Sequence, residues 1–422
     1  MTLLQLHEFH HRLGARFAEV NGAEVVNDYG DGLAEHAALH ENAGVFDLSF
    51  RSRICLVGSD RVRFLHGQVT NDVKKLAVGS GCYAALVTAK GKMESDLNVF
   101  CLADELLLDF EPGLTEKVTQ RLEKFIVADD VQIVDAAPHY GLLSVQGPKA
   151  EDVVRAIGLF GVPPSGGLAG TAADRVNAEL PTEPFDSVKI SDAALGEVYL
   201  VNQPRLLFSR SSGRESAQSP LQTGQSRLTS AATIDLISTS FDLFIPDSSL
   251  AAVADKLIAA AKQIGGRACG WQSFETARIE AGIPRFGVDM DETNLPLECG
   301  IEKRAVSFHK GCYIGQEVIN RIHSFGHVTK ELRGLRLADD LKSLPQKHDK
   351  LFHNGKEIGY ITSAVKSPTL NALVAPKLQS EGGNIALGYV RREANQIGTE
   401  LTLRTVAGES PVRIVELPFV SL

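Results

Sequence analysis

The chain has 422 residues, 43 of them Lys or Arg against 52 Asp or Glu, for a formal net charge of −9, with 44% apolar and 23% charged residues. That composition supports two or three domains with cores of their own and excludes a disordered chain, a collagen-like repeat and a disulfide-stapled miniprotein. A net acidic surface offers phosphates no attractive field, so no nucleic acid is expected as a partner.

In chain order, Met1 to Val26 is interrupted by Glu8, Glu19 and Glu24, and no secretion or transit signal is read there. His36 and His40 share one helix face; without a third ligand in view they read as histidines on a solvated helix, and no metal is expected. Residues 54–57 read as a strand, with Asp60 as N-cap of the helix that follows. Residues 97–102 and 106–110 pattern as paired strands, and 114–126 carries a helical apolar stripe. Strands at 131–134 and 140–145 lead to a helix opened by Pro148. Gly158 to Pro184 is rich in Gly, Pro and Ala. Gln203 to Ser230 is rich in Ser, Gln, Arg and Thr and reads as a mobile surface insertion without chemistry.

Order is expected again at 233–236 and 241–245, then in helices 250–264 and 271–281. The apolar run Leu250 to Ile264 is broken by Asp255, Lys256 and Lys262, so no bilayer span is expected and the protein reads as cytoplasmic. Beyond about Lys330 helical periodicity gives way to six short strand patterns, with Asn354-Gly355 as a hairpin turn. The expectation is an α+β region over 1–330 and a small β-barrel over 331–422. The six cysteines, at 55, 82, 101, 269, 299 and 312, form no C-x-x-C pair and are expected as free thiols.

Standard phosphate-loop, dinucleotide and H-E-x-x-H signatures are absent from the sequence. Three clusters remain. Lys310 to Glu317 reads K-G-C-Y-I-G-Q-E; Cys312 precedes a predicted helix N-terminus with Lys310 nearby, a setting that favours thiolate, against the plain alternative of a small buried residue. Arg278 and Glu280, with the acids at 289, 291 and 292, could clamp a polar ligand or simply cap a helix end. Asp96 lies in an apolar strand after the strand headed by Tyr83, and reads either as an acid–base or amine-binding group or as an edge residue facing water.

Together with G-V-F-D-L-S at 44–49, F-L-H-G-Q-V-T-N-D at 64–72, C-Y-A-A-L-V-T-A-K-G-K-M at 82–93, F-D-L-F-I-P at 241–246 and R-I-E-A-G-I-P at 278–284, these clusters resemble the folate-binding YgfZ-type proteins within the glycine-cleavage T-protein aminomethyltransferase family. The resemblance implies a three-part ring, two interleaved α+β domains plus a C-terminal β-barrel, around a channel holding tetrahydrofolate. It assigns folate contact to Tyr83, Asp242, Arg278 and Glu280, with Lys310, Tyr313, Gln316 and Glu317 beside the ligand, and places Asp96 at the one-carbon reaction centre. Arg278, Lys90, Lys92 and Arg321 are expected cations for the glutamate tail.

The expected function is an accessory role for iron–sulfur enzymes, with Cys312 as the working thiol and iron–sulfur client or assembly proteins as partners. The alternatives are a one-carbon transferase centred on Asp96 and a folate-binding module without catalysis.

Overall fold

The computed structural model describes residues 1–158, 179–206, 240–370 and 383–420. The chain opens with α1 (His7–Arg12), the hairpin β1 (Arg16–Val20) and β2 (Ala23–Asp28), α2 (Gly32–Glu41) and β3 (Gly44–Asp47). It then builds a five-stranded sheet from β4 (Ser52–Val57), α3 (Arg61–Gln68), β5 (Gly81–Val87), β6 (Met93–Cys101), β7 (Leu106–Phe110), α4 (Thr115–Glu123) and β8 (Gln132–Asp135), in the order β5-β6-β7-β4-β8. Next come β9 (Tyr140–Gln146), α5 (Ala150–Ala156), β10 (Ser187–Asp192), β11 (Gly196–Asn202), β12 (Phe241–Pro246), α6 (Asp247–Gln263) and β13 (Arg267–Ala268). These strands rejoin β3 in a six-stranded sheet ordered β10-β11-β12-β9-β3-β13, so the two sheets are interleaved along the sequence.

After α7 (Trp271–Glu280), α8 (Glu302–Ala305) and α9 (Gln316–Phe325), a closed barrel follows: β14 (Lys330–Leu337), β15 (Lys350–His353), β16 (Lys356–Lys366), β17 (Asn384–Arg391), β18 (Glu400–Thr405) and β19 (Gly408–Val415). This is the three-part α+β architecture the sequence resemblance implies. Asn354 and Gly355 take φ of 50° and 78° between β15 and β16, the positive pair that a tight hairpin needs. Among the described residues, no helix is long and apolar enough to cross a membrane.

Apolar periodicity explains most elements. In α6, Leu250, Val253, Ala254, Leu257, Ile258 and Ala261 are buried at three- and four-residue spacing against the six-stranded sheet. The layer between the sheets is aromatic, with Phe46, Phe100, Phe244, Trp271 and Phe274 in one cluster. Each fully buried Phe of this kind contributes roughly 1.5–3 kcal/mol. By contrast, α7 is buried on nearly all sides, so its charged residues Arg278 and Glu280 must find partners inside the protein. A further cluster joins Val87 and Met93 of the five-stranded sheet, Ile279 of α7, and Leu387 and Tyr389 of the barrel.

Three expectations change. Asp60 precedes α3 but makes no side-chain cap; its carboxylate accepts instead from the Asp130 N–H at 2.9 Å, tying α3 to the approach to β8. Asp96 is not on an edge strand, because β6 lies between β5 and β7. Gln203 to Arg205 belong to the folded body: the Gln203 N–H donates to the Ser240 carbonyl at 2.8 Å, and Arg205 is buried. The rest of the expected insertion, most of Gly158 to Pro184 and the expected strand at 233–236 lie outside the described residues.

Candidate active site

Register places a row of polar side chains across one face of the five-stranded sheet. Tyr83 of β5 pairs with Asn98 of β6, Asn98 with Asp109 of β7, and Asp109 with Arg53 of β4. Directly paired residues share a face, and Asp96, two residues from Asn98, shares it too. The Tyr83 hydroxyl donates to Asp96 Oδ2 at 2.8 Å, and Asn98 Nδ2 donates to Asp109 Oδ2 at 2.9 Å.

This face opens onto a cavity of about 350 Å³, a size suited to a small-molecule ligand. Asp96 and Glu111 supply acid, Phe185, Phe274 and Tyr83 supply flat aromatic surface, and Pro204 and Pro284 extend the apolar lining. Arg304, exposed and also lining the cavity, lies over the Tyr83 ring at 5.4 Å and forms no salt bridge among the described residues. A second cavity of about 460 Å³, between α2 and α6, is lined by small residues such as Ala34, Ala37 and Gly266 together with the charged Glu41, Lys262 and Arg267.

The floor is an ion network. Arg205 donates through Nε to Asp242 Oδ2 at 2.7 Å and through Nη2 to Asp109 Oδ2 at 2.8 Å, joining β12 of one sheet to β7 of the other. Arg51 donates to Asp109 at 2.8 Å and to Glu111 at 2.7 Å, and Arg285 reaches the other Glu111 oxygen at 3.1 Å. Two acids of the same sheet face therefore diverge. Burial alone would raise Asp109, but Arg205 and Arg51 hold it well below the ordinary carboxylate range. Among the described residues no guanidinium pairs with Asp96: burial first and the Glu111 charge second push it up to about 6, against the Tyr83 hydrogen bond. Opposite shifts on neighbouring carboxylates separate a structural anion from one able to exchange a proton near neutrality.

Of the ten residues singled out in the sequence, Tyr83, Asp96 and Arg278 line this cavity. Arg278 does so with its charge already matched: it is bidentate to Glu275 at 3.0 and 2.8 Å and donates to Asp289 at 2.5 Å, so its geometry is that of a brace. Asp242 is fully buried one step behind, with its oxygens taken by Ser144 at 2.7 Å and by Arg205, which corrects the expectation of direct contact with a ligand. Burial raises its pKa against those partners.

Glu280 is likewise outside the cavity lining, in contact with His36, His40 and Ser367. Burial would raise it, but the hydrogen bonds from the two histidines bring it down to about 2. The histidine pair corrects the solvated-helix reading, since His36 is 3% exposed and a third donor arrives from a distant element.

The Lys310–Glu317 segment lies apart from the cavity lining as well. The Lys310 ammonium is buried and donates to the carbonyls of His66 at 2.5 Å, Val69 at 2.7 Å and Asn71 at 2.8 Å, capping the C-terminal end of α3. Burial brings its pKa down to about 8. Its charge is thus spent on backbone, which corrects its role as a ligand cation and as activator of Cys312. Gly315 has φ of 85°, and a Cβ there would stand 2.5 Å from the Thr88 carbonyl, so this glycine is needed for close packing on the β5–β6 turn. Tyr313 is buried in the cluster shared with the barrel, Gln316 Nε2 reaches the Lys310 carbonyl at 3.4 Å, and Glu317 and Cys312 are exposed. The expected tail cations Lys90, Lys92 and Arg321 do not line the cavity; Lys92 Nζ is bound to the Thr293 carbonyl at 2.7 Å.

Reading by sequence missed Arg51, Asp109, Glu111, Arg205, Arg285 and Arg304. A signal existed for three of them: Arg51, alternating with Arg53, and Asp109 and Glu111 are charges at alternate positions in or beside apolar strands, the spacing of one sheet face. Arg205 was hidden by the polar composition that follows it.

The GCVT N-terminal domain family matches residues 6–159 and 238–310, more than half of the chain, and the glycine cleavage T-protein C-terminal barrel domain matches 330–376. An aminomethyltransferase of Symbiobacterium thermophilum is 27% identical over 419 residues, covering 98% of this chain and 96% of the relative. One from Halothermothrix orenii is 26% identical over 429 residues, covering 100% of both. The crystal structure of glycine cleavage system aminomethyltransferase T from Bartonella henselae superposes with a TM-score of 0.77 at 21% identity, over 100% of this chain and 98% of that one. These end-to-end likenesses to aminomethyltransferases overturn the expected accessory role for iron–sulfur enzymes, with its client proteins and its working thiol at Cys312.

Proposed function

The chain belongs to the glycine cleavage T-protein family, and from that membership we propose that it is a folate-dependent aminomethyltransferase, moving a one-carbon unit from an amine to tetrahydrofolate. The observation that carries this reading is Asp96: a carboxyl with a pKa of about 6, oriented by the Tyr83 hydroxyl and facing an aromatic-lined cavity. The pterin is a flat ring with hydrogen-bonding edges, which suits the wall of Phe185, Phe274 and Tyr83. Arg304 is the cation available for the anionic glutamate tail.

In such a transfer two folate nitrogens bond in turn to the aminomethyl carbon; the amine leaves with one bonding pair and the donor's other substituent, the sulfur of a lipoyl-linked donor, with the second, and the two protons lost from the folate nitrogens go to these leaving groups. Positive charge builds on nitrogen during the exchange. An ionised Asp96 would accept a hydrogen bond from the reacting N–H and offset that charge in a site of low polarity. Within the family, we read K-G-C-Y-I-G-Q-E as the mark of a YgfZ-type branch, a reading supported by the motif alone.

The test is turnover of tetrahydrofolate to its methylene form with lipoyl-linked and free aminomethyl donors, alongside calorimetric folate binding. Asp96→Asn is expected to lower kcat by about 10²–10⁴-fold with folate affinity kept. Wild-type protein that binds folate but yields no methylene product from any such donor would overturn the assignment.

A further inference from the structure

We propose that His36, His40 and Glu280 form a binding site for a divalent first-row transition-metal cation, separate from the Asp96 cavity. His36 and His40, four residues apart on α2, project from one face of that helix, and Glu280 ends α7, which packs against it. His36 Nε2 is 2.8 Å from Glu280 Oε2; His40 Nε2 is 3.2 Å from that same oxygen and 3.2 Å from His36 Nε2. Three donor atoms thus form a nearly equilateral triangle. For a cation about 2.1 Å from each donor, atoms at right angles to one another are about 3.0 Å apart. The triangle therefore has the dimensions of one face of a coordination octahedron, reached without moving a side chain.

The chemistry of the donors agrees. Two imidazoles and one carboxylate on a single face suit zinc, ferrous iron or cobalt better than calcium or magnesium, which favour oxygen alone. Without a cation both rings can donate Nε2–H to the one Glu280 oxygen; a cation would take a lone pair from each nitrogen and from that oxygen in place of the two protons.

Glu280 is also held from behind: the Ser367 hydroxyl donates to its Oε1, and Ser367 is itself fixed by the Leu370 N–H at 3.1 Å. A hydroxyl orienting the ligating carboxylate is the outer support that metal sites require. Thr369 Oγ1, 3.4 Å from His40 Nε2, brings a further oxygen donor close. Ser367 and Thr369 follow β16, so the cation would pin α2 and α7 to the barrel. None of these residues lines the Asp96 cavity, and the site is independent of the one-carbon reading.

The experiment uses the full chain, stripped with chelator and titrated with Co²⁺. About one equivalent should bind with visible d–d bands, displaced by Zn²⁺. Zn²⁺ should raise the unfolding temperature of the wild type. His40→Ala and His40→Gln, at the more exposed corner of the triangle, should lose both the bands and the zinc-dependent shift while keeping a native circular dichroism spectrum. His36→Ala tests the deeper ligand. The proposal is overturned if the folded wild type binds no cobalt, in which case the cluster holds only protons, or if the bands persist in both His40 variants, in which case the metal sits elsewhere.

Discussion

Asp96 is ionised at neutral pH in surroundings that oppose its charge, and this has a cost in folding. Between its ordinary pKa of 3.8 and about 6 the folded carboxyl holds a proton that the unfolded chain has released. Stability therefore falls as pH rises through that window, and it stays lowered above it. The penalty is on the order of 3 kcal/mol at pH 7. Asp96→Asn should remove it, so the inactive variant is expected to unfold at higher urea than wild type at pH 7 and to match it near pH 4. The wild-type pH–rate profile should show an acid limb near 6, absent from any residual activity of the variant. A limb near 4 would mean that Asp96 is solvated and that burial does not govern it. Stability traded for a poised carboxylate is the usual sign of a functional position.

At the scale of elements, the two sheets are joined by Arg205 reaching from just beyond β11 to Asp242 on β12 and Asp109 on β7. Both carboxylates are fully buried. Removing the cation leaves two acids without full compensation, which in buried pairs costs about 3–5 kcal/mol. Arg205→Met is expected to lower the urea midpoint accordingly, and the deficit should shrink as the pH is lowered and Asp242, already raised by burial, takes up a proton. A deficit independent of pH would point to lost packing instead of uncompensated charge. The Lys310 ammonium performs the corresponding task for α3, where three carbonyls gather on one cation.

For the whole molecule, the barrel shares its core with the α+β body. Met93, Ile279, Phe286, Leu387 and Tyr389 belong to one buried cluster, and Asp289, which braces Arg278 from one side, accepts hydrogen bonds from Thr362 and Ser363 of β16 on the other. Burial shared across units couples their unfolding. A fragment comprising 1–329 should therefore expose this cluster, bind a hydrophobic dye and aggregate, and the intact chain should melt in a single calorimetric transition. Two separated transitions would show that the barrel folds on its own.

Local pattern was enough for much of this protein. Alternation and helical spacing located α6, α7 and the six barrel strands, and Asn354-Gly355 marked its hairpin, because these features depend on neighbours a few positions apart; the family resemblance pointed to Tyr83, Asp96 and Arg278, three residues that line the cavity. Pairing of distant charges was not legible in that way. Arg205 meets Asp109 across 96 positions, Lys310 meets His66 across 244, and His36 meets Glu280 across 244. Whether a cation is a ligand contact or a brace, and whether a histidine faces water or a buried carboxylate, depends on which groups the sheets and helices bring within about 3 Å. Sequence supplied the side chains; only tertiary packing chose their partners, because burial makes every unmatched charge too expensive to leave alone.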